Sequence, residues 1–168
     1  MVTRGTFKSK EQTYEPKFVI SIKKFGNEIG VTFFDVTTLE IRVGQFNDDE
    51  SLSLLRTLAS QIRPVEVIHE KELSNTDVTK LFKNSPMVPT FNILPPKNCW
   101  SFIKTCTNLE KHLGSPESWP APLKEIKDQE KDLAVQSFGM AMAFLEEALI
   151  DEQTIKPAHY ELYEPESK

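Results

Sequence analysis

The sequence predicts a mixed α/β sandwich of the ribonuclease H-like kind, with three antiparallel strands, then parallel additions, and about four flanking helices. Three observations carry that prediction. Alternating or dense apolar runs fill the first third, capped helical segments then alternate with short apolar runs, and 168 residues with 39% hydrophobic content suffice for one substantial core.

Residues 17–25 alternate, with Phe18, Ile20 and Ile22 on one side and Lys17, Ser21 and Lys23 on the other, the period of a half-buried strand. Gly26-Asn27 marks the turn, residues 29–36 form a denser β-branched and aromatic run, and residues 39–46 alternate again to complete a meander. Asn47 followed by Glu50 has capping-box spacing, and Asp48 and Asp49 put negative charge where a helix dipole is positive. The predicted helix carries Leu52, Leu55, Leu58, Ala59 and Ile62 on one face and Glu50, Ser53, Arg56 and Ser60 on the other, until Pro64 ends it. Burying its large side chains contributes roughly 6 to 12 kcal/mol. Ordering the segment costs at least ~1 kcal/mol per residue, so the helix is stable only when docked on a sheet.

Residues 65–69 read as a short buried strand, and Ser74 with Asp77 caps a second helix bearing Val78, Leu81 and Phe82. Residues 87–94 form a fifth strand, which Pro89 restricts to an edge or a strand end. These later strands should join the meander by right-handed crossovers. A third helix after Pro95-Pro96 carries Trp100, Ile103, Cys106, Leu109 and Leu113, with Lys111 and His112 in its last turn and Gly114 as its stop. The proline-rich residues 115–123 read as a surface loop. Residues 128–150 form the longest helix, with Leu133, Phe138, Met142, Leu145 and Leu149 on one stripe and Glu146 and Glu147 exposed. The polar tail 151–168 reads as an exit linker.

With Lys+Arg 20 against Asp+Glu 25, a net charge of -5 argues against a surface built to neutralise many phosphates. Arg4, Lys8, Lys10, Lys17, Lys23 and Lys24 make the one local excess of positive charge and read as a solvated face. Cys99 and Cys106, seven apart in the predicted helix, would lie roughly 10 Å apart, too far for a disulfide. Free thiols, no glycosylation sequon and no long apolar run point to an intracellular soluble protein.

A ribonuclease H-type nuclease needs several carboxylates converging on two divalent metals, normally with an Asp in the middle of the first strand. Here that strand, "KFVISIKKF", contains no acid. Asp35, at the end of the second strand, reads as a turn residue accepting hydrogen bonds from the following amides. Asp48, Asp49 and Glu50 are explained by helix capping. Cys99, Cys106 and His112 match no zinc spacing, and no phosphate loop, nucleophile elbow or dinucleotide fingerprint occurs. The residues specify no reaction, and no catalytic, cofactor-binding or metal-binding residue is expected.

The ribbon "GVTFFDVTT", the passage "VGQFNDDESLSLLRTL" and the strand "RPVEVI" together resemble the connector domain of the MutS family of DNA mismatch-recognition ATPases. "SFGMAMAFLEEALIDEQ" is similar to that family's last connector helix, "HYELYEP" to its strand-like exit, and "VTRGTF" to the junction with the preceding domain. The likeness covers nearly the whole chain and runs toward the large subunit of the eukaryotic MutSα heterodimer. One departure is visible: the family's turn after Asp35 usually contains Gly, whereas Leu39 follows Thr38 here.

The resemblance implies a noncatalytic connector at residues 17–150, with 1–16 as the junction from a mismatch-binding domain and 151–168 leading toward a lever domain. It implies rigid-body movement when ATP converts a clamp to its sliding state, with ATP and Mg held elsewhere in a longer parent protein. It further implies a nuclear location, a heterodimer partner of the same family, and mismatched DNA bound through the parent protein, with no membrane. Thr3, Arg4, Gly5, Thr6, Tyr163, Glu164 and Pro165 are the expected interdomain hinge residues. Arg56, Ser60 and Arg63 are the candidate face for the alternative role, docking of a MutL homologue. A remote alternative, a metal-dependent nuclease, would lose cleavage on Asp35→Asn.

Overall fold

The computed structural model describes residues 15–165. Strands β1 (Val19–Phe25), β2 (Glu28–Asp35) and β3 (Glu40–Asn47) form the expected antiparallel meander. Helix α1 (Ser53–Ile62) leads to β4 (Glu66–Glu70), which lies parallel to β1, and α2 (Asp77–Lys83) leads to β5 (Thr90–Leu94), parallel to β4. Helices α3 (Phe102–Leu113), α4 (Ala121–Asp128), α5 (Asp132–Glu147) and α6 (Asp151–Ile155) precede a last strand, β6 (His159–Leu162), parallel to β3. The result is one mixed sheet in the order β5-β4-β1-β2-β3-β6, an α/β fold.

Strand alternation sorts the core into two layers. Ile20, Ile22, Ile29, Val31 and Phe33 pack with Leu55 and Leu58 of α1 and Val78 and Phe82 of α2. Phe34, Ile41, Val43 and Ile68 pack on the opposite face with Phe138 and Met142 of α5 and Leu109 of α3. The adjacent Phe33 and Phe34 therefore serve different layers, as a period of two requires.

Helix α5 lies against the centre of the sheet, and the sequence shows why it comes so close. An added Cβ at Gly30 would lie 2.2 Å from the carbonyl carbon and oxygen of Leu133, and one at Gly139 would meet the Thr105 hydroxyl at 2.3 Å. A polar seam runs through this contact: the Ser21 hydroxyl donates to the Ser137 carbonyl, and the Thr32 and Ser137 hydroxyls share a hydrogen bond of 2.8 Å. The Ala134 N–H donates to Gln45 Oε1 at 3.0 Å. Each of the side chains in this seam thus has a partner, which is what makes a polar seam tolerable inside a core.

Several expectations need correction. The capping box at Asn47 does not form. Instead the buried Asp48 carboxylate accepts from the N–H groups of Asp49, Leu54 and Leu55 at 2.8–3.0 Å, and the helix begins only at Ser53. Ser74 does not cap α2; Thr76 occupies that position, and Asn75 between them has φ +60°. The proline-rich 115–123 segment contains the start of α4 and buries Trp119, whose indole N–H donates to the Gly114 carbonyl. The long helix expected over 128–150 is α5 alone, because Glu130 turns the chain with φ +53° before it begins. Ile103 and Leu149, placed on apolar stripes, are 76% and 83% exposed, and Trp100 precedes α3. The tail read as an exit linker supplies α6 and β6.

Because Asp48 satisfies otherwise orphaned amides at the start of α1, Asp48→Ala should lower stability by about 2 kcal/mol. Urea denaturation of the two proteins measures this directly, and a loss under ~0.5 kcal/mol would mean that water replaces the carboxylate.

Candidate functional site

Asp35 is a turn residue. Its carboxylate accepts the Thr37 N–H at 2.9 Å, its carbonyl accepts the Leu39 N–H at 3.0 Å, and it is buried. Leu39 has φ +59°, so it occupies the left-handed position that a glycine would adopt without strain. Strand β1, where a nuclease would place an acid, has Ser21 as its buried polar residue, covered by α5 through its bond to Ser137. Among the described residues no trio of carboxylates meets there. A surface cleft of about 490 Å³ lies at the N-termini of α1 and α2 and is lined by Asp49, Glu50 and Asp77. Acids already match both helix dipoles, so the cleft is no phosphate cradle. The backbone N–H and hydroxyl of Ser53 hold the Asp49 carboxyl below its ordinary range.

The two ends of the domain meet at an aromatic cluster. Phe18, just before β1, packs edge-to-face on Phe33 with centroids 5.9 Å apart, and its carbonyl accepts the Val65 N–H. Tyr163, just after β6, packs edge-to-face on the same Phe33 at 5.4 Å and on Phe46 at 6.1 Å. Its N–H donates to the Val43 carbonyl at 2.8 Å, extending the β3–β6 ladder by one bond. The Tyr163 backbone rests on Gly44, where an added Cβ would lie 2.1 Å from the Tyr163 oxygen. Phe33 is thus the common neighbour of the incoming and outgoing chain.

This geometry bears on the expected hinge. Thr3, Arg4, Gly5 and Thr6 lie outside the described residues. Tyr163 is held by backbone and ring contacts, while Glu164 is exposed and Pro165 half-buried beyond it. Sequence reasoning missed Phe18, Phe33 and Phe46, since an aromatic on a strand reads as core until its neighbours are known.

Arg56 and Ser60 are exposed on α1, and Arg63 is exposed just after it. Arg56 folds back to donate to the Ser51 carbonyl at 2.9 Å, Ser60 donates to the Thr57 carbonyl, and Arg63 ends the helix with φ +44°. The basic stretch is likewise internally engaged in part: Lys23 pairs with Glu70 at 2.7 Å and Lys24 donates to the Gly26 carbonyl. Cys99 and Cys106 are free, and burial pushes both thiols up. Since the thiolate is the reactive form, both should alkylate more slowly than an unstructured peptide cysteine at pH 8, as timed iodoacetamide labelling would read. A rate equal to the peptide's would place them in a more open environment.

His112, the candidate ligand dismissed with the two cysteines, has different neighbours. It meets Asp151 at 3.6 Å, and Glu146 completes a group whose ligand atoms lie within 4.8 Å of one another. Burial and the nearby Asp151 push the Glu146 carboxyl up. Separations of 34 and 39 positions along the chain carry no motif, so only the fold reveals the trio.

In a comparison of families, residues 17–155 match the family described as MutS domain II. The chain belongs to that family. Among curated relatives, the DNA mismatch repair protein MSH6 of Saccharomyces cerevisiae is 28% identical over 148 residues, covering 85% of this chain. The Arabidopsis thaliana protein of that name is 27% identical over 96% of the chain, and the Homo sapiens one 25% identical over 98%. The chain spans only 12–15% of the length of these relatives. The relatives' names are those of DNA mismatch repair proteins, and what this chain shares with them is a MutS domain II. No helix among its described residues is long and apolar enough to cross a membrane.

Proposed function

We propose that this domain is a noncatalytic connector, which carries mismatch- and ATP-dependent movement between a mismatch-binding domain ahead of it and lever and ATPase domains behind it. The observation that carries the reading is the seating of Phe18 and Tyr163 on one residue, Phe33. A connector transmits displacement only if its two ends are fixed to the same rigid body, and both ends here are tied to the central sheet. Flexion then falls outside this body, at Glu164 and Pro165 on the outgoing side. Reversing a population from 1:99 to 99:1 takes about 5.5 kcal/mol of differential binding. ATP, Mg and DNA bound elsewhere in a nuclear, heterodimeric parent protein supply it.

The test is Tyr163→Ala in the parent protein, with mismatch affinity measured without nucleotide and ATP-driven release from the mismatch measured by stopped flow. Affinity should stay within about twofold while release slows about tenfold, equivalent to ~1.4 kcal/mol of lost coupling, within the ~0.5–2 kcal/mol of single-residue effects. Unchanged release would sink the connector reading. Saturable binding of the MutL homologue's ATPase domain, lost on Arg56→Ala with stability intact, would establish a docking module instead.

A further inference from the structure

We propose that His112, Glu146 and Asp151 bind one divalent first-row transition ion, Zn²⁺ foremost, which fastens the end of α3 to the corner between α5 and α6. The three residues come from separate elements: the last turn of α3, the last turn of α5 and the first residue of α6. Their ligand atoms lie within 4.8 Å of one another, and His112 Nε2 stands 3.6 Å from Asp151 Oδ2. Two ligands at roughly 2.1 Å from a tetrahedral ion are about 3.4 Å apart, so the imidazole and Asp151 already have the required separation. Glu146, on a partly exposed turn, reaches the same point by side-chain rotation.

The chemistry of the trio favours a transition ion over its rivals. One neutral imidazole and two carboxylates carry two negative charges, which a divalent ion balances. Among the described residues no Lys or Arg lies within ion-pair distance of Glu146 or Asp151, and Lys111 and Lys104 act on Glu146 only from beyond it. Magnesium and calcium prefer all-oxygen shells, whereas a nitrogen ligand beside carboxylates suits zinc and its neighbours. The setting is also semi-enclosed, the His112 and Asp151 side chains being 13% and 23% exposed. Three protein ligands leave one tetrahedral position to water, so the ion exchanges with solution and is not sealed in.

The site has a mechanical consequence. Helix α6 buries Thr154 and Ile155, and the Tyr160 hydroxyl of β6 donates to the Ile155 carbonyl. An ion joining α3 to the first residue of α6 therefore braces the route into the last strand.

Chelator-stripped protein titrated with Zn²⁺ by calorimetry, and with Co²⁺ by visible absorption, tests the site. One-to-one uptake, a cobalt d–d band and a raised melting temperature with Zn²⁺ are expected. His112→Ala and Asp151→Asn should weaken uptake by more than the roughly 10–100-fold that outer-shell changes cost, with Glu146→Gln as the conservative third variant. Circular dichroism identifies any variant that fails to fold, and the remaining variants then decide. No saturable uptake, or uptake undiminished in the folded variants, overturns the proposal, the latter by placing the ion elsewhere.

Discussion

Replacing Gly30 with alanine should lower stability by about 3 kcal/mol or more, which for a domain of this size corresponds to a fall in melting temperature of roughly 6–12 °C. The added methyl would sit 2.2 Å from Leu133 backbone atoms and 2.6 Å from the Ala134 nitrogen, and backbone in the first turn of a helix cannot swing aside like a side chain. Helix α5 must lift. In lifting it strains the Ala134–Gln45 bond and the Ser21–Ser137 and Thr32–Ser137 contacts, leaving polar groups buried without partners. Gly26→Ala is the matched control. It has φ +62° but nothing within 4 Å of the new methyl, so it reports left-handed strain alone and should cost about 1 kcal/mol. Equal losses in thermal denaturation of the two variants would show that close packing of α5 is not what Gly30 provides.

Gly44→Ala should release the outgoing chain while leaving the rest of the fold standing. Its methyl would lie 2.1 Å from the Tyr163 oxygen, which forces the segment after β6 off the sheet and separates Tyr163 from Phe33 and Phe46. Each such aromatic pair is worth about 0.5–1.5 kcal/mol beyond its buried area. Losing both makes local opening of this edge about 10-fold or more easier. Hydrogen exchange followed by mass spectrometry separates the outcomes. Peptides spanning 159–165 should exchange at least 10-fold faster, while those of β1 and β2 keep their protection. Tyr163→Ala should reproduce the effect without altering β3. Unchanged exchange at the outgoing strand would mean that the ladder with β3 holds it without the rings.

What was legible in the sequence was legible because it is local. The Asp35 turn, the edge position of β5 after Pro89, and the stop of α3 at Gly114 depend on neighbours a few residues away, and each took the expected form. Helical periodicity found α3 and α5 but misjudged Ile103 and Leu149 at their margins, since a stripe specifies an angle and not how far a neighbouring element extends. Proline-rich composition hid α4, although Pro120 and Pro122 stand at its start, where a missing N–H costs nothing. Residue pattern alone read strand β6 as linker, because "HYEL" is polar on one side, and only the likeness of "HYELYEP" to a strand-like exit pointed to it; its place comes from the edge of β3 that it pairs with.

By itself the sequence determined the class of fold, the absence of an acid in the first strand, and the likeness to a MutS connector, all of which reside in the order and spacing of residues. Tertiary structure alone decided that Phe33 joins the two ends, that Gly30 admits α5 to the sheet, and that His112 meets Glu146 and Asp151. Each of these joins residues far apart in the chain. Such contacts carry no local signature, because their free energy arises only once burial has brought separate elements within a few ångströms.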